Sequence, residues 1–187
     1  CAVFVLKNHM IETLISSKTR IKLLLKFFLN SSTTAYLRSL ESEFGESSNA
    51  IRMELNKMEE AGMLKSFMNG NKKMYQANEQ YPLFREIHNI LLKTIGIDQI
   101  IDKVINRLGA VKQVFLVGEF AKGIDSPIID LLIIGEVDKQ YLLELAEKAE
   151  ELISRKIRYL VYGTEEFESL RNSGHYQDAL LLWSSEN

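Results

Sequence analysis

Residues 114–135 read VFLVGEFAKGIDSPIIDLLIIG. Two runs of β-branched and apolar residues flank a loop that carries Gly118, Gly123, Asp125, Ser126 and Pro127. This spacing predicts a strand, a tight turn of a size to hold a phosphate, a short helix, a loop and a second strand. Glycine at the end of a buried strand lets backbone approach a ligand, and free N–H groups at the following helix start favour an anion. Asp130 opens the second strand, where a metal ligand would stand. The two flanking strands are placed at 111–117 and 130–134, and a third strand is expected over 157–162. A long amphipathic helix is expected over 139–156, with Leu142, Leu145, Ala149 and Leu152 inward. Thr164 reads as the N-cap of a last helix, with Glu165 and Glu166 in its first turn. Residues 176–183 are apolar enough to pack back on the sheet. Strands separated by helices predict an α/β or α+β layered unit.

Upstream the period changes. A short helix is expected over 11–16. Residues 18–29 (KTRIKLLLKFFL) place Ile21, Leu24, Leu25 and Phe28 at helical spacing, with basic residues on the other face. Residues 35–44 make a second amphipathic helix, with Leu37, Leu40 and Phe44 inward and Gly45 as its stop. Ser47 is a good N-cap for a third helix over 48–61, whose stripe is Ile51, Leu55 and Met58. Residues 64–68 and 73–77 then flank Asn69-Gly70-Asn71, a strong hairpin signal. Residues 1–9 are set aside as a cloning junction or extension.

Residues 18–78 resemble the winged helix-turn-helix domains of bacterial and archaeal transcription regulators of the ArsR/MarR type. The residues that carry this are Tyr36-Leu37-Arg38-Ser39-Leu40, Ser47, Ala50-Ile51, Glu54-Leu55, Met58 and Glu60-Ala61-Gly62-Met63-Leu64. The pattern itself points the same way. A third helix with that stripe leaves Ser48, Asn49, Arg52, Asn56 and Lys57 facing out, side chains suited to base edges and phosphates in a major groove. Lys65, Asn69, Asn71, Lys72 and Lys73 fall on the wing, where cations reach backbone phosphate. The same side chains also suit a solvated helix and hairpin, and winged helices also serve as protein-interaction modules.

Residues 111–170 resemble the minimal nucleotidyltransferase domain of the DNA polymerase beta superfamily. The active form of that family has Gly-Ser, then Asp-x-Asp entering a strand, and a third carboxylate on a later strand. Two Asp at i and i+2 share a face and can hold two divalent metals, and the Gly-Ser turn holds the triphosphate. This chain keeps Gly118 but has Glu119 where the Ser belongs. It keeps Asp130 but has Ile128 in place of the first Asp, and Arg158, Tyr159 and Leu160 supply no third carboxylate. The resemblance therefore implies a vestigial nucleotide site of Gly118, Glu119, Lys122 and Asp130. It assigns no catalytic residue and leaves Asp130 as the one candidate metal ligand. No cofactor is expected, with Mg2+ and a nucleotide entering only if this domain is active.

The fold expected is α+β, with a winged helix-turn-helix domain at 10–80, connecting helices at 81–110 and a nucleotidyltransferase-like domain at 111–187. The chain has 187 residues, 46% apolar, and a net charge of -2. Residues 1–80 hold 11 Lys+Arg against 8 Asp+Glu, while residues 81–187 hold 12 against 17. A mildly basic module joined to an acidic one fits this split. The single cysteine, Cys1, excludes a disulfide framework or a cysteine zinc site within this chain. A cytoplasmic protein is the expectation from that cysteine usage, and no apolar run reaches the ~20 residues a membrane span needs. The resemblance implies a regulator that binds double-stranded DNA, a homodimer because operators are commonly read as paired half-sites. The second domain would serve dimerisation, docking of a protein partner or ligand sensing. Two alternatives stand beside it. One is an enzyme moving a nucleotide to a protein, RNA or small molecule; the other is an antitoxin-like interaction protein.

Overall fold

A computed structural model describes residues 10–108, 110–153 and 155–185. The chain divides into two compact units, with the division between Thr94 and Ile95. That boundary falls inside the 81–110 segment expected as connecting helices. Its first helix belongs with the upstream unit and its second with the downstream one.

The first unit begins with helix α1 (Met10–Leu14) and helix α2 (Lys18–Leu24), which runs on through wider π turns, Leu25–Leu29. Ser17 caps α2 by accepting a hydrogen bond from Arg20 N at 3.2 Å. A short strand β1 (Ala35–Tyr36) leads directly into α3 (Leu37–Phe44), and Ser47 caps α4 (Ser48–Glu60). Ile51, Leu55 and Met58 of α4 are buried with Leu40 of α3, as their helical spacing dictates. Strands β2 (Leu64–Asn69) and β3 (Lys72–Ala77) then form an antiparallel hairpin. Its two-residue turn puts Gly70 at φ +58, the conformation a type II′ hairpin turn asks of its first central residue. Strand β1 pairs with β3, so the sheet order is β1-β3-β2. Helix α5 (Phe84–Ile95) closes the unit against α2. The Phe28 and Phe84 rings lie 5.4 Å apart, and His88 Nδ1 donates to the Phe28 carbonyl at 2.8 Å.

One expectation about α2 needs correcting. Residues 23–29 are all buried, so Lys26 does not sit on a solvated face. The π turns widen the helix and carry Lys26 inward, where it reaches Glu43 of α3 at 2.8 Å.

The second unit starts with α6, made of Ile97–Ile100, the π turns Ile101–Ile105 and Asn106–Leu108. Strand β4 (Val111–Val117), a single helical turn α7 (Gly118–Ala121) and strand β5 (Ile128–Gly135) follow. Helix α8 (Lys139–Ile153) crosses to β6 (Lys156–Tyr162), and α9 (Thr164–Asn172) precedes a last strand, β7 (Leu180–Ser184). The sheet order is β6-β5-β4-β7, with β5 and β6 parallel and the other pairs antiparallel. Helix α8 supplies the crossover that a parallel pair requires. Strand β5 is central and buried from Ile129 to Gly135, which is why its sequence, Asp130 apart, is apolar on both faces rather than an alternation. One face carries Phe115, Leu132 and Ile134 under Phe167 of α9, and the Phe115 and Phe167 rings lie 5.1 Å apart. Along α8 the buried residues are Leu142, Leu145, Ala146, Ala149 and Ile153, whereas Leu152 is exposed. The expected stripe was therefore off by one position at its end. Among the described residues, no helix is long and apolar enough to cross a membrane.

Candidate functional site

Two places attract the residues singled out by the sequence, one in each unit. In the first unit a groove of about 680 Å3 is lined by Tyr36, Leu37, Arg38, Arg52, Leu55, Asn56, Asn71, Lys72, Lys73 and Tyr75. It runs between the start of α3, the outer face of α4 and the tip of the hairpin. Four of its lining side chains are cationic and none is a carboxylate. Low-dielectric walls bearing one sign of charge focus the potential, so this surface attracts anions.

Geometry sorts the ten positions expected to contact DNA, of which Asn69 on the wing is exposed and does not line the groove. Arg52, Asn56, Asn71, Lys72 and Lys73 line the groove together. Ser48 is half-buried at the start of α4, and Asn49 and Lys65 are exposed away from the groove lining. Lys57 faces a different, apolar cavity. Arg38 and Tyr36 escape a sequence reading that weights the third helix and the wing over the start of the second. The signal was present: Arg38 is a cation in the outward phase between Leu37 and Leu40.

The cations are held differently. Lys72 Nζ lies 4.4 Å from the centre of the Tyr36 ring, a cation–π contact that keeps its charge in the groove. Lys73 Nζ is 2.7 Å from Glu59 of α4 and 5.1 Å from the Tyr75 ring centre. That pair, with Ser66 also donating to Glu59, ties the hairpin to α4. The ammonium hydrogen-bonded to it holds the Glu59 carboxyl below its ordinary value, and Glu59 in turn raises Lys73. Lys73 is thus largely neutralised, whereas Arg38 and Arg52 make no ion pair among the described residues.

In the second unit the turn after β4 is built as the pattern predicts. Gly118 has φ +69 and lies directly against Asp130. A Cβ placed on Gly118 would stand 3.0 Å from Asp130 Cγ, closer than packed carbon atoms tolerate. The loop that follows is pinned from below by Arg155, which reaches Asp125 at 2.9 Å, donates to the Ser126 carbonyl and covers the Phe120 ring. Glu119 and Lys122 are half-exposed and 3.8 Å apart, a loose contact screened by water.

Asp130 is committed elsewhere. Parallel pairing of β5 with β6 sets Arg158 beside it, and the guanidinium Nε donates to Asp130 Oδ1. Asp130 is buried while the Arg158 side chain is 70% exposed. The strand position where a third carboxylate would complete a metal site thus carries a cation bound to the one carboxylate present. Residue Ile128, two positions before, contributes no oxygen. Among the described residues, no group of three His, Cys, Asp or Glu side chains could hold a metal ion. This donor set does not fit a pair of divalent metals. His175 Nδ1 has a partner, Ser173 Oγ at 2.9 Å, but that hydroxyl donates its proton to the Leu170 carbonyl. The histidine therefore donates to the serine, the reverse of what nucleophile activation needs.

No protein-family model and no curated protein matches the chain. Among solved structures it is similar to one described as a candidate nucleotidyltransferase from Sulfolobus solfataricus. The identity is 20%, over 49% of this chain and 79% of that one, with a TM-score of 0.33. A likeness of that size says nothing about activity.

Proposed function

We propose that the chain is a DNA-binding regulator. In this reading the first unit is a winged helix-turn-helix domain, with α4 as recognition helix and the β2–β3 hairpin as wing. The observation that carries it is the groove bearing Arg38, Arg52 and Lys72, with Lys73 tied to Glu59 at its edge and no carboxylate in its lining. The element order and the β1-β3-β2 sheet support the same reading, because they hold the outer face of α4 and the hairpin tip on one surface. Arg52 and Asn56 lie one turn apart on α4, a spacing suited to adjacent base edges in a major groove. Arg38 and Lys72 flank them as phosphate ligands. The second unit is a nucleotidyltransferase-like domain without transferase chemistry, serving dimerisation, docking or ligand sensing. A nucleotide and Mg2+ have no part in this reading.

Salt-dependent binding to duplex DNA tests it. Removing one cation that neutralises a phosphate lowers the slope of log K against log salt by about 0.9. The double variant Arg52→Ala, Lys72→Ala should therefore weaken binding at low salt and flatten the slope by about 2. Absence of duplex binding at low salt, or an unchanged slope in the double variant, refutes the proposal. Selection of bound duplexes from random DNA would give the site, and paired half-sites together with a sedimenting dimer would support a homodimer.

A further inference from the structure

The first unit holds a second cavity, of about 360 Å3, lined by residues of α1, α2, the end of α4 and α5. Its floor is apolar and buried: Leu24, Met58 and Leu91. Exposed Leu14 and Ile90 stand on its rim. Only two of its twelve lining residues are polar, Arg20 and Lys57, and both are cations. Arg20 spends its Nε on Glu54 at 2.8 Å, whereas Lys57 has no ion-pair partner among the described residues. A site of this size with an apolar body and a single charged mouth suits a small amphipathic ligand. The sign of the mouth selects its head group.

We infer that this cavity binds a small carboxylic acid with an aliphatic or aromatic body, the carboxylate meeting Lys57 and Arg20 and the body seated on Leu24, Met58 and Leu91. Burial of the body supplies most of the affinity, and a charge-assisted hydrogen bond at the mouth supplies selectivity. The inference is independent of the duplex reading, since none of these residues lines the cationic groove.

Calorimetric titration of the full chain with decanoate, octanoate and decanol tests it. Decanoate binds; each methylene removed weakens binding about fourfold, so octanoate is weaker by roughly fifteenfold. Decanol, of equal length without the charge, is at least about tenfold weaker than decanoate. Lys57→Ala erases that preference and Lys57→Arg keeps it. Ala61→Trp, at the exposed end of α4, fills the cavity and abolishes binding while circular dichroism stays unchanged. Equal affinity for decanoate and decanol overturns the assignment, as does undiminished binding in folded Ala61→Trp. Binding that appears only when the chain begins at Met10 also overturns it and gives the cavity to residues 1–9. Affinity that falls as protein concentration rises, with dimers sedimenting, gives it to a second copy.

Discussion

Gly118→Ala separates the two reasons a glycine would stand after β4, packing or approach of a phosphate. At φ +69 a residue with a Cβ pays about 1–2 kcal/mol for the left-handed conformation. The new Cβ would also stand 3.0 Å from Asp130 Cγ and 3.1 Å from its Cβ. Forcing an extra carbon into a packed place costs about 1–3 kcal/mol more. The expected loss is therefore about 2–5 kcal/mol. Gly174→Ala supplies the control. That residue has φ +87, and its added Cβ meets only the end of the flexible Gln177 side chain, at 3.4 Å. It should lose the backbone part alone, about 1–2 kcal/mol. In an Asp130→Ala background the carboxyl group is gone and only the Cβ contact at 3.1 Å remains, so the cost of Gly118→Ala should drop toward the control value, a coupling of up to about 1–3 kcal/mol. Both positions lie in the second unit, and the single tryptophan, Trp183 on β7, reports its unfolding in urea by fluorescence. Equal losses for Gly118→Ala and Gly174→Ala, or no relief from Asp130→Ala, would refute the packing argument and return the turn to the phosphate reading.

Three further outcomes follow from the same geometry. Lys26→Ala strands the Glu43 carboxylate, whose Oε1 is buried with no hydrogen-bond partner. The first unit should lose about 3–5 kcal/mol by denaturant titration, and Lys26→Met with Glu43→Leu should restore most of it. Tyr176, hydrogen-bonded to Tyr162 and partly desolvated, is pushed up from 10.0 to about 12. Its native phenol keeps a proton that the unfolded chain releases, so stability of the second unit should fall between pH 10.0 and about 12; Tyr162→Phe should shift tyrosinate absorbance to lower pH. Glu46, held down chiefly by Lys22 and then Thr19, and Glu59, held down by Lys73 and then Ser66, both have lowered values. Their contribution is complete above 4.5 and is lost as pH falls through the lower folded values, so unfolding of the first unit should ease on acidification below that point; a rise in stability there would contradict both pairs.

The elements were legible wherever the cause is local. Ser47 caps α4 because a serine side chain satisfies an N–H at a helix start, and Gly70 turns the hairpin because its φ demands it. Errors cluster where the cause is tertiary. Lys26 reads as a surface cation by type, and only the π turns of α2 and the position of Glu43 bring it inside. Leu152 reads as core by spacing, yet Ile153, one position on, takes the buried place. Thr164 is the first residue of α9 with Gly163 at the cap, a shift of one position. Strand β1 is two residues long and takes its extended form from pairing with β3, which no local pattern announces. The last apolar segment was expected to pack on the sheet; its register against β4 makes it an edge strand of that sheet.

The same distinction governs the two candidate sites. A list of cations on α4 and the hairpin does not reveal which of them converge; Lys73 belongs to Glu59, Lys57 to another cavity, and Arg38 joins from α3. In the second unit, the sequence names Asp130 as a lone carboxylate and Arg158 as a residue without oxygen to give. It does not say that the two meet. Parallel register puts them side by side, and their pairing decides the chemistry. A bare buried carboxylate beside a glycine turn would invite a divalent cation. One that already accepts a guanidinium hydrogen bond would have to break that interaction first, and among the described residues no group of three ligating side chains stands ready to hold the ion. Restoring donors therefore takes more than Ile128→Asp. Arg158 has to leave as well, so Ile128→Asp with Arg158→Glu should bind Mg2+ detectably by calorimetry where Ile128→Asp alone does not. Equal binding by the two variants would show that Arg158 is no obstacle.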